Sequence, residues 1–155
     1  PTHGAASASA TETFGYFRTN AARMSFPLDK LPTELGIWVV STNCSKNEMQ
    51  WALQQHAGER AVGKLFDKIS YDTEHFKRGT EKKVLATGDY SLMNIKKLGG
   101  VCAEQAYFAS EVGKAIGVPA MLAFLPLAWF LNTSVLFPSR MGEIEVVLGL
   151  GIPRQ

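Results

Sequence analysis

Residues 98–109 read Leu98-Gly99-Gly100-Val101-Cys102-Ala103-Glu104-Gln105-Ala106-Tyr107-Phe108-Ala109. Two glycines come first, then a cysteine, then residues that suit a helix. The spacing predicts a helix from about Val101 to Ile116. Val101, Ala106, Ala109, Val112 and Ile116 fall near one stripe of it. Gly117 and Pro119 supply the stop. Cys102 therefore opens a helix. The first turn of a helix has free backbone N–H groups and the positive end of the dipole. Both favour a thiolate, and the same N–H groups can hold an oxyanion. The glycines just before allow another backbone to approach closely. The competing reading is a packed cysteine that serves as a small hydrophobe.

Upstream, Leu35-Gly36-Ile37-Trp38-Val39-Val40 is rich in β-branched and aromatic residues and reads as a strand. Ser45 and Glu48 form a capping box, which starts a helix bearing Met49, Leu53 and His56. Val62, Leu65, Phe66 and Ile69 recur at helical spacing, with an end near Ser70-Tyr71-Asp72. Residues 72–91 read as a solvated loop with a short helix. Their Lys77, Arg78, Lys82 and Lys83 are diluted by Glu74, Glu81 and Asp89. Residues 1–30 read as a disordered or irregular leader or linker, because the first thirteen are small and polar.

The composition excludes several classes. The chain has 155 residues, 46% of them apolar and 19% charged, with a net charge of +2. One core is affordable at that length, and the charge argues against a nucleic-acid surface. The two cysteines, Cys44 and Cys102, and the three scattered histidines give no metal-ligand spacing, and one Cys44–Cys102 bridge stays open. No phosphate-binding glycine motif is present. No cofactor is expected. With no signal peptide visible, the compartment is left open.

Gly99-Gly100-Val101-Cys102-Ala103-Glu104-Gln105-Ala106, followed by Ala115-Ile116-Gly117-Val118-Pro119-Ala120, resembles the core of transglutaminase-like cysteine enzymes. The step through Leu65–Tyr71 is also similar, and the resemblance covers roughly residues 45–120. It implies an α+β, papain-like core over residues 31–120, with the nucleophile helix packed on a small antiparallel sheet. It implies cysteine-dependent acyl transfer or amide hydrolysis on a peptide or protein substrate, in a larger and sometimes exported chain. By the resemblance Cys102 is the nucleophile and its backbone N–H an oxyanion donor. Gly99, Gly100, Glu104 and Gln105 support it.

Such chemistry needs a base and an orienting group, which the family places after the cysteine. Here His3, His56 and His75 and every aspartate precede Cys102. His75 is the better stand-in for a base. Residues 121–155 form a hydrophobic tail, and Ala115–Ser139 carries no charge. Three readings compete for this tail: a fragment or shifted reading frame past Ala120, a divergent and inactive member, or a membrane segment. A spanning helix needs about 20 apolar residues. Pro119, Pro126 and the polar run Asn132-Thr133-Ser134 disfavour it here. Glu143–Leu150 reads as one short strand. The alternative to an enzyme is a non-catalytic binding or scaffold domain, or a membrane-attached fragment.

Overall fold

The computed structural model describes residues 6–124, 132–140 and 143–150, with side chains through residue 121. Among the described residues seven α-helices precede any strand: α1 (Ala10–Asn20), α2 (Thr33–Val40), α3 (Lys46–His56), α4 (Thr73–Arg78), α5 (Lys83–Ala86), α6 (Leu92–Leu98) and α7 (Cys102–Ala115). Short 3-10 turns join them, the longest at Val62–Lys68.

The helix starts follow local chemistry. At α3 the Ser45 hydroxyl accepts from the Glu48 N–H, and the Glu48 carboxylate accepts from the Ser45 N–H at 2.8 Å. Ser9 and Glu12 repeat this device at α1. Asp72 caps α4, and Gly79, in the left-handed region at φ 65°, ends it.

Residues 1–30 thus differ from a disordered or irregular leader. Once Ser9 caps α1, Tyr16 and Phe17 fall on its inner face and are buried. The Tyr16 hydroxyl donates to the Met49 carbonyl at 2.9 Å or the Ala115 carbonyl at 2.8 Å, and so ties α1 to α3 and α7. The expected strand at Leu35–Val40 is also corrected, since these residues lie in α2. Pro32 sets up its first turn, and only Val39 is buried. The β-branched composition reports a preference that tertiary context overrides.

The α+β papain-like expectation is overturned as well. Over the part with described side chains, helix accounts for 64% and strand for 3%. Helix α7 is buried along every residue from Glu104 to Ala115, not on one stripe. Its neighbours include α2, α3, α6 and the Val62–Lys68 turn. The buried apolar core runs from Tyr16 to Ala120 and comes from helices and the turns between them. The glycine–cysteine motif specifies a turn and a helix start. It does not specify what packs around the helix.

Among the described residues, and apart from one isolated bridge between Tyr71 and Gly100, strand pairing lies after Ala120. Strands β1 (Met121–Phe124), β2 (Asn132–Arg140) and β3 (Glu143–Leu150) pair antiparallel in the order β1-β2-β3. Met121 faces Leu136, Asn132 faces Leu150, and the register shifts between Pro138 and Arg140. The apolar run through Leu131 lies largely outside the described residues. Among the described residues no helix is long and apolar enough to cross a membrane.

Tyr16→Phe tests the role of α1. The one interior hydrogen bond that the hydroxyl donates is lost, so the unfolding free energy falls by about 1–2 kcal/mol in urea denaturation. A change near zero would return residues 1–30 to the status of a loose arm.

Candidate active site

Cys102 is the first residue of α7 and is partly exposed. Both cysteines are free thiols, so no Cys44–Cys102 bridge exists. The turn before Cys102 is locked onto the segment that follows the Val62–Lys68 turn. The Gly100 N–H donates to the Ser70 carbonyl at 3.0 Å, and the Asp72 N–H donates to the Gly100 carbonyl at 2.9 Å. Tyr71 and Gly100 form an isolated parallel bridge.

Both glycines are required by contact. Gly99 has φ +82°, and a Cβ there would lie 2.3 Å from the Ser70 carbonyl oxygen. A Cβ on Gly100 would lie 2.3 Å from the Glu104 Cβ.

Glu104 is the hub of the turn. It is buried, and its Oε2 accepts from the Val101 N–H at 3.0 Å. Its Oε1 accepts from Lys82 Nζ at 2.7 Å and from the Tyr90 hydroxyl at 3.2 Å. This carboxylate caps the helix and anchors the Lys82 segment, so it is fully engaged in structure. The Gln105 side chain donates to the Ile69 carbonyl at 2.8 Å and pins the same segment from the other side.

Tyr71, which the sequence places at a helix end and in the family resemblance, is bridged through its backbone to Gly100, two residues before Cys102. Its hydroxyl pKa is raised, chiefly by burial and then by the charges of Cys102 and Glu104. Its ring meets Phe76 edge-on at 5.7 Å. Among the described residues the hydroxyl has no hydrogen-bond partner. Its position beside Gly100 depends on the backbone bridge, which no local pattern announces.

His75 is placed differently. Its Nδ1 hydrogen-bonds the Thr80 carbonyl, within the α4 turn. Among the described residues no contact joins it to Cys102. His56 sits on α3 between Trp51 and Phe108. The basic cluster of 77–83 is partly consumed by ion pairs: Arg78 with Glu74, Lys83 with Asp72 and Lys82 with Glu104. Burial would raise the Asp72 carboxyl. The Lys83 and His75 N–H groups and the Lys83 ammonium outweigh it, holding the carboxyl below its ordinary range.

Cys44 is a structural thiol. It is buried, and its pKa is pushed up by burial and by the Glu111 and Glu48 carboxylates. Its Sγ–H donates to Glu111 Oε2 at 3.7 Å. Among the described residues no group of three or more His, Cys, Asp or Glu could hold a metal ion. No family model, curated protein or solved structure matches the chain.

Gly100→Ala should destabilise the fold by at least about 2 kcal/mol, because backbone and Glu104 must both shift. Gly36→Ala is the matched control, on a helix with open space around it. It should gain up to about 1 kcal/mol. Equal effects of the two in chemical denaturation would remove the steric lock.

Proposed function

We propose that Cys102 is the nucleophile of an acyl-transfer or amide-hydrolysis site on peptide or protein substrates. The carrying observation is a free, partly exposed thiol at the start of a 14-residue helix; the Tyr71 backbone is bridged to Gly100, two residues before it, and the Tyr71 hydroxyl pKa is raised first by burial and then by Cys102. The helix start supplies N–H groups and dipole in support of negative charge. The quoted resemblance around Gly99–Ala106 supports the same chemistry.

The steps follow from these groups. The Cys102 sulfur, having given its proton to solvent, attacks the carbonyl carbon, and a C–S bond forms. The carbonyl π pair moves to oxygen. The Cys102 N–H and the Tyr71 hydroxyl are the donors offered to that oxyanion. As the carbonyl re-forms, the bond to the leaving group breaks, and an amine or alcohol departs with a proton. Water or an acceptor amine then attacks the thioester and returns the thiol. Glu104 and Gln105 position the turn and do not react.

One observation favours a second reading, a non-catalytic binding domain. His75 is occupied by the Thr80 carbonyl, and no imidazole contacts Cys102 among the described residues. An activated aryl acetate separates the readings, because its phenolate leaves without a general acid. The enzyme reading predicts release of one equivalent of phenolate and a single acetyl group on Cys102 by mass spectrometry. Cys102→Ala abolishes both. Tyr71→Phe slows acetylation by about 10²-fold, yet leaves iodoacetamide alkylation unchanged, since alkylation develops no oxyanion. Acetylation of Cys102 no faster than that of a free cysteine would leave the binding domain.

A further inference from the structure

The last turn of α3 carries a second titratable feature, remote from the thiol chemistry. His56 is the final residue of α3 and is partly buried. Its ring packs edge-on against Trp51 of α3 at 6.0 Å and against Phe108 of α7 at 6.1 Å. Trp51 and Phe108 also meet each other edge-on, at 6.3 Å. The three rings form one aromatic cluster across the α3–α7 seam, and Phe108 is fully buried in it. No hydrogen bond to the imidazole is found among the described residues.

We propose that His56 is a pH-sensitive latch: neutral, its ring closes the C-terminal turn of α3 over Phe108, and protonated, it leaves that seat. The charged groups around it favour this response. Lys68 of the Val62–Lys68 turn and Lys96 of α6 both oppose an imidazolium. The Lys96 Nζ donates to the Lys68 carbonyl at 2.8 Å, which brings the two lysines together. Glu59 opposes them, but its carboxylate lies 3.9 Å from the Lys68 ammonium and is already partly neutralised. The C-terminal dipole of α3 also favours a cation. Burial outweighs both and holds the His56 pKa below its ordinary 6.5.

The sign is then fixed. A ring that binds its proton less readily in the fold than in the open chain leaves stability intact above the ordinary pKa. Stability declines as pH falls from there toward the lowered value. Loss of the latch frees the end of α3 from α7, the helix that opens with Cys102.

NMR titration of the histidine rings, with unfolding measured from about pH 7 to 5, tests this. His56 is expected to titrate below 6.5, and its ring contacts with Phe108 should weaken with the same midpoint. Wild-type stability should fall across this range. His56→Phe, which keeps an aromatic ring, should lose most of that fall, whereas His75→Gln should keep it. A His56 midpoint at or above 6.5, or an undiminished fall in His56→Phe, overturns the latch. The ring titration uses the wild-type protein and decides the matter even if the variant does not fold.

Discussion

The constraint on which the structure depends is the docking of one backbone turn against another. Gly99 and Gly100 lie so close to Ser70 and Glu104 that neither has space for a Cβ. Two backbone hydrogen bonds close the contact, from Gly100 to Ser70 and from Asp72 to Gly100. This contact fixes where α7 begins and so places Cys102. It also sets Tyr71 against the turn that precedes the thiol and directs Asp72 to cap α4. A single added methyl group acts on all three.

Helix α7 then runs through the interior and is buried on every side, which makes its polar residues costly unless they are partnered. Glu104 accepts from Val101, Lys82 and Tyr90. One turn further on, Tyr107 packs against Tyr90. Glu111 accepts from Thr42, Asn43 and Lys114, and Lys114 also donates to the Ser41 carbonyl at 2.9 Å. On α3, Glu48 accepts from the Leu92 N–H at 3.0 Å. Each buried carboxylate thus joins elements distant in sequence. The segment between α2 and α3 and the start of α5 are fastened to the central helix, and the start of α6 to α3, by charge-assisted bonds as well as by apolar contact.

Sequence reasoning reached the features that depend on neighbouring residues. The Ser45–Glu48 box, the helix after Val101 and the stop at Gly117 are local, and they stand where spacing puts them. Cys102 at a helix start is of the same kind. Helix α2 was misread because β-branched composition outweighed a proline at the helix entrance. Helix α1 was missed because small polar residues before it masked the Ser9–Glu12 box. The α+β architecture was inferred from a motif whose information ends at one turn and one helix. The burial of α7 on all faces depends on partners up to 99 positions away, as in the Tyr16–Ala115 bond. Lys82 read as solvated because its partner, Glu104, lies 22 residues on.

Amide hydrogen exchange at Gly100, Val101 and Asp72 tests the docked turn most directly. The N–H groups of these residues donate to Ser70, Glu104 and Gly100, respectively. If the contact organises the fold, all three exchange only through global unfolding, with a protection free energy equal to the stability of the whole protein. Exchange at the rate of exposed loop amides, while the α7 interior stays protected, would contradict it. Cys102 would then sit on a loose turn rather than at a fixed helix start.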